Sequence, residues 1–185
     1  VHLAVGNKII YPGQGPCLIT PVVERVVDGR PIRFYRLALL DDSGGELFVP
    51  VDRVETLGVR RLLKRSEIPK LLSRLKKVAG TAKNWKQRTI DNSRLFTSGS
   101  AFDLAEVVES LTALNEIKAL LPRDSRMLER ARKLLVSEIS EVMGETKSAA
   151  EKRVDRSLKM KKPKAEVETR NLGSEGGKSI RKSGV

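Results

Sequence analysis

Apolar residues follow two different rhythms along this chain, and the change falls between about residues 58 and 66. The first part reads as short strands. Asn7-Lys8-Ile9-Ile10-Tyr11 is an apolar run stopped by Pro12-Gly13-Gln14-Gly15, a turn cluster whose glycines can supply positive φ. Cys17 to Val27 is rich in Ile, Val and Thr. Pro21 inside it predicts an edge position, a bulge or a break, because proline has no N–H for the ladder. Asp28-Gly29 is a strong hairpin signal, and Ile32 to Leu39 is the returning arm. Asp41-Asp42-Ser43-Gly44-Gly45 makes the next turn, before Glu46-Leu47-Phe48-Val49-Pro50. Short strands at this spacing, in under sixty residues, predict a small Tudor/SH3-like β-barrel.

From Ser66 onward the period is helical. Ser66 is the expected cap of a helix carrying Ile68, Leu71, Leu72, Leu75 and Val78 on one face, with Lys70, Arg74 and Lys77 away from it and Pro69 tolerated in the first turn. Gly80 is expected to end it. A second helix should start near Asn84, a good cap, and run to about Ser98-Gly99; Thr89 and Phe96 follow Trp85 on a face, while Ile90 and Leu95 point elsewhere. The spacing of Leu104, Val108, Leu111, Leu114 and Leu121 predicts a third helix from Ala101 to Leu121, stopped by Pro122. Asp124 or Ser125 should cap a fourth, with Leu128, Ala131, Leu135, Ile139 and Val142 inward and Gly144 at its end. Ser148 to Leu158 is a final amphipathic segment. After about Lys159, Lys161-Lys162-Pro163-Lys164 and a scatter of glycines offer too little apolar surface to offset ordering entropy. The expected class is therefore α+β: a β-barrel domain over 1–60, an all-α helical bundle domain over 66–158, and a basic disordered tail over 159–185.

Charge narrows the partners. Thirty-six Lys and Arg against 23 Asp and Glu give +13, a field that attracts nucleic acid or an acidic protein surface. No apolar run approaches the length of a membrane span, and the opening residues lack the basic and apolar stretches of a signal peptide, so a cytoplasmic protein without membrane contact is expected. Cys17 is the sole cysteine and sits among apolar neighbours, which excludes an internal disulfide and suggests a buried, inert thiol. With one histidine, no phosphate-binding glycine motif and no carboxylate pair at a catalytic spacing, neither an enzyme nor a cofactor or metal site is expected.

Trp85 is the only tryptophan in a chain that is 4% aromatic, and Lys83, Lys86 and Arg88 surround it. An apolar wedge among phosphate anchors has this layout in minor-groove binders; an indole in a core is the alternative. Arg123, Arg126, Arg130 and Lys133 recur along one face of the fourth helix, either as a solvated surface or as a track for a phosphate backbone. In the barrel, Arg25, Arg30, Arg33 and Arg36 are cations available to RNA phosphates or protein carboxylates.

The whole pattern resembles the CarD family of bacterial RNA polymerase-binding transcription regulators over about residues 1–158. The matching stretches are Val5-Gly6-Asn7-Lys8-Ile9-Ile10-Tyr11-Pro12 with Gly15, Val49-Pro50-Val51, Leu57-Gly58-Val59-Arg60, Asn84-Trp85 with Arg88, Arg126-Met127-Leu128 and Ala131-Arg132. The resemblance implies a Tudor-like domain that pairs its sheet edge with the RNA polymerase β subunit. It also implies a helical domain that contacts promoter DNA without strong sequence readout, and a longer-lived open promoter complex. Trp85 would be the wedge at the upstream edge of the bubble. The DNA-binding residues would be Trp85, Lys86, Arg88, Lys83, Arg126 and Arg130, and the polymerase-binding residues Arg25, Phe48 and Arg36. Two departures stand out: Gln87, Thr89 and Ile90 interrupt the cations that some relatives carry after the tryptophan, and Phe48 occupies a position that is basic in some members. The expected protein is a monomer, held at the nucleoid through polymerase. A different reading of the same barrel and basic bundle is an RNA- or ribosome-associated binding protein.

Overall fold

The structure, a computed structural model, describes residues 3–41, 43–76 and 85–160, and the side chains of Trp85 and Lys86 lie outside the described part. Five strands come first: β1 (Lys8–Tyr11), β2 (Gly15–Val27), β3 (Arg30–Leu39), β4 (Glu46–Pro50) and β5 (Arg60–Arg61). Five helices follow: α1 (Ile68–Arg74), α2 (Trp85–Thr97), α3 (Ala101–Ile117), α4 (Pro122–Met143) and α5 (Lys147–Lys159). The chain is thus α+β, with a small antiparallel sheet of order β4-β3-β2-β1-β5 ahead of a helical bundle.

Turn chemistry sets the sheet. Asp28 and Gly29 both take positive φ, 50° and 74°, as the two-residue hairpin turn between β2 and β3 requires. Pro21 falls in a register shift between Thr20 and Val23, so the bulge is what the proline imposes on β2. Inward side chains of the strands form one core with Ile9, Cys17, Ile19, Leu37 and Val49. Burial pushes the Cys17 thiol up to about 11, which leaves it protonated and unreactive at neutral pH.

A second core, built on Leu71, Leu75, Val108, Leu111, Leu135 and Ile139, holds α1, α3, α4 and α5 together. Four helix details differ from the sequence reading. Ser66 does not cap α1; a 3-10 turn over Arg65–Glu67 leads in, and the Glu67 carboxylate accepts the Lys64 N–H at 2.7 Å. α3 ends at Ile117 rather than Leu121, because Lys118 is extended. Pro122 does not stop that helix but opens α4, where its missing N–H costs nothing, and Leu121, not Asp124 or Ser125, is the cap residue. Leu95 packs against the helical core beside Phe96, whereas Ile90 is 61% exposed. Gly144, at φ 66°, ends α4 as expected, and Thr146 caps α5. Lys77, Val78, Gly80, Lys83, Asn84, and the tail after Met160 lie outside the described residues.

The two cores meet at one junction. Pro12, in the β1–β2 turn, presses against Gly99, where an added Cβ would stand 3.0 Å from the proline Cγ. A Cβ at Gly15 would likewise come within 3.2 Å of Leu134 on α4.

Candidate functional site

The three residues selected on the strands come together on one face at the β4 edge of the sheet. Period-two alternation sends Leu37 and Val49 into the core, so Arg36 and Phe48, which are direct cross-strand partners, face outward. Arg25 reaches across from β2 and lays its guanidinium 4.0 Å above the Phe48 ring. That stacking holds an aromatic face and a cation in a fixed arrangement on an otherwise exposed surface. Arg36 is already engaged: its Nε donates to the Glu46 carboxylate at 2.9 Å, and this bond holds the Glu46 carboxyl below its usual range. β4 itself is an edge strand, flanked by β3 on one side alone, so its outer backbone groups are open to another strand.

On the helical side, α2 packs on α3, and single side chains of α2 come close to the N-terminal half of α4. Arg88 on α2 and Asp124 on α4 line the same cleft, and further along α2 the Phe96 ring sits 5.5 Å from the Arg130 guanidinium. Arg126 and Arg130 are exposed and occupy successive turns of α4. Neither they nor Arg123 and Lys133 take part in an ion pair among the described residues. The neighbouring Arg132 behaves differently, bonding to Asp155 and approaching Glu151 at 3.5 Å, so it ties α4 to α5. One face of α4 therefore carries Arg132, tied to α5, and another carries Arg123, Arg126 and Arg130, which no described carboxylate pairs; Asp41, held below its usual range chiefly by hydrogen bonds from Ser43, also feels the charge of Lys133. Trp85 and Lys86 occupy the first turn of α2, just before Arg88. Lys83 and the side chains of Trp85 and Lys86 are outside the described residues.

A pair that sequence reasoning missed joins these two surfaces. Arg60, in β5, donates from both guanidinium nitrogens to Glu138 of α4, at 2.7 and 2.8 Å, and from Nε to the Gly99 carbonyl at 2.7 Å. Glu138 is 2% exposed and also accepts the Leu63 N–H at 3.1 Å. A bidentate geometry with further hydrogen bonds is what makes a buried carboxylate tolerable. Lys8 adds a peripheral bond to Glu141 at 2.7 Å. One signal was available: Glu138 falls between Leu135 and Ile139 on the apolar stripe of its helix, where an acid needs a partner.

Among the described residues, no group of three or more His, Cys, Asp or Glu is arranged to hold a metal ion, and no helix is long and apolar enough to cross a membrane. Comparison with known proteins identifies the relatives. Residues 3–63 match the CarD-like/TRCF RID domain, and residues 59–155 match the CarD C-terminal domain. The chain is 23% identical over 154 residues to the putative transcription factor YdeB of Bacillus subtilis, a match covering 77% of this chain and 93% of that one. The 72-residue N-terminal domain of Myxococcus xanthus CarD is 33% identical, with 32% of this chain and 79% of that chain covered and a TM-score of 0.28. With the C-terminal family model alone spanning just over half of its 185 residues, this chain belongs to the CarD family and is, at that level, a transcription-associated factor related to RNA polymerase interaction.

Proposed function

We propose that the chain binds the RNA polymerase β subunit through the β4 edge and contacts promoter DNA through α2 and the exposed face of α4, lengthening the life of the open complex. The observation that carries this reading is the pair of open surfaces on one body: an unpaired sheet edge bearing the Arg25–Phe48 stack, and a row of α4 cations without carboxylate partners among the described residues. The edge supplies backbone hydrogen bonds to a partner strand, and side chains around it supply the choice of partner. The cations supply affinity for phosphates that does not depend on base sequence. The chain acts as a monomer in this scheme, as a regulator and not as an enzyme.

A Trp85 wedge fits the same picture. Unstacking a base step costs roughly a few kcal/mol, so a wedge is favoured where the duplex is already open at a fork. Holding the wedge on polymerase raises its local concentration there. Location then replaces sequence readout.

A pull-down with purified β subunit is the direct test. Residues 1–60 hold most of a core of their own, with Ile9, Cys17, Ile19, Leu37 and Val49, so that fragment should fold and bind without the helices. Arg25→Glu should weaken capture while leaving the melting temperature of the full chain close to that of the parent, since a rim charge acts mainly through electrostatic complementarity. A folded fragment that fails to bind, while the full chain binds, would overturn the assignment of polymerase contact to the strands. Capture of ribosomal RNA in place of polymerase would overturn the whole reading.

The α4 cations give a separate readout. Replacing Arg126 and Arg130 with glutamine should weaken binding to all duplex sequences alike. It should also lower the salt slope by about 0.9 for each phosphate that is no longer neutralised. An unchanged slope would return the stripe to a solvated helix face.

A further inference from the structure

A cleft of about 270 Å³ opens between α2, the end of α3 and the start of α4. This lies just below the roughly 300–1,000 Å³ typical of small-ligand pockets. Its wall is apolar, with Leu111, Leu114 and Leu120. Asn92, also lining it, is 5% exposed, yet its side chain makes no hydrogen bond among the described residues. No fully sealed side-chain polar atom in the described residues lacks a partner, so the Asn92 amide keeps some exposure, and Asn92 lines this cleft. An amide that keeps some exposure at a cleft and has no protein partner is free to hydrogen-bond an occupant of that cleft. Two more polar groups stand at the same cleft without side-chain partners among the described residues: the Lys118 ammonium and the half-buried Asp124 carboxylate. Arg88 lines the cleft too.

We propose that this cleft holds a guanine nucleotide. The chemistry of the donor set points to that base. Guanine carries N–H donors side by side on its Watson–Crick edge, which a carboxylate accepts, and acceptors at O6 and N7, which an amide NH₂ satisfies. Asp124 and Asn92 supply those two groups, and the leucine wall covers a ring face as apolar side chains do for bases taken out of a stack. Lys118, at the same cleft, supplies a cation for the phosphate. Adenine would set its N1 lone pair against the Asp124 carboxylate, which disfavours it. The nucleotide is either free in solution or a guanine of an unpaired DNA strand. The strand source rests on the promoter contact proposed above, whereas the free nucleotide does not.

The full chain should be titrated with guanosine monophosphate while the Asn92 side-chain amide is followed by nitrogen-15 NMR. Saturable shifts are expected, with adenosine monophosphate binding about tenfold more weakly. Asp124→Asn, at a half-buried position, should remove that preference. Asn92→Ala should weaken binding by about tenfold, provided a thermal melt shows the variant folded. In a second arm, an oligothymidine containing one guanine is compared with oligothymidine alone. Tighter binding of the guanine strand than of the mononucleotide assigns the occupant to DNA, and equal or tighter binding of the mononucleotide assigns it to a free nucleotide. No saturation by either probe, or binding unmoved by Asp124→Asn, would overturn the proposal. So would indole binding as well as the nucleotide does, since the cleft would then be a socket for a partner's apolar side chain. Failure of the strand arm with success of the mononucleotide arm would leave the guanine site standing and count only against its use by DNA.

Discussion

Arg60→Ala should be among the most damaging single substitutions in this protein, lowering stability by about 3–5 kcal/mol. The reason is asymmetric burial. Glu138 is 2% exposed, whereas the Arg60 side chain is 25% exposed. Removing the arginine strands a carboxylate that cannot reach water and keeps only the Leu63 N–H for company. Removing the acid instead leaves a guanidinium that can turn toward solvent and still donate to the Gly99 carbonyl, so Glu138→Ala should cost less than Arg60→Ala. For a chain of this size each kcal/mol is worth roughly 2–4 °C, which makes the Arg60→Ala shift on the order of 10 °C. Thermal melts of the two single variants and of the double variant check the order. An Arg60→Ala protein that melts with the parent would show that the pair contributes nothing, and a double variant as unstable as the sum of the singles would show that the two residues are not coupled.

Trp85→Ala should leave the melting temperature almost where it is and shorten the open-complex lifetime. Truncating a tryptophan in a core would cost about 3–5 kcal/mol. The apolar residues that anchor the described part of α2 to the core, Leu95 and Phe96, lie near its other end, and the proposed wedge sets the indole in the first turn apart from them. Polymerase capture should survive the substitution, because the β4 edge is untouched. Differential scanning calorimetry and competitor-challenged open complexes read the two effects separately. An early melt would make the indole a core residue, and a parental lifetime would remove it from the fork.

How legible the fold was depended on whether the deciding interaction was local. Asp28-Gly29 announced its hairpin because the turn needs positive φ at both residues, and Pro21 announced an irregularity because its missing N–H breaks a ladder wherever it sits. Pro122 misled for a related reason. Proline is equally at home just after one helix and in the first turn of the next, and only the extended backbone at Lys118 decides between them. Leu95 was placed off the Trp85 face from helical spacing alone, yet it packs against the helical core together with Phe96. The candidate site divided the same way. Arg25, Phe48 and Arg36 could be chosen from the resemblance, but their meeting on one face follows from the β2–β3–β4 register. Arg60 and Glu138 stand 78 positions apart, and no local pattern links them.

That last pair also decides what kind of object the protein is mechanically. A chain that joined a sheet and a bundle by a loose linker would let one search space around the other. Here Arg60 is gripped by Glu138 and Gly99 at once, while Pro12 is seated on Gly99, so sheet and bundle form a stiff bracket. If the proposed contacts hold, the span from β4 to the first turn of α2 is a ruler. Its length sets which base step the tryptophan can reach, and a softened joint would blur that position without weakening the grip at either end.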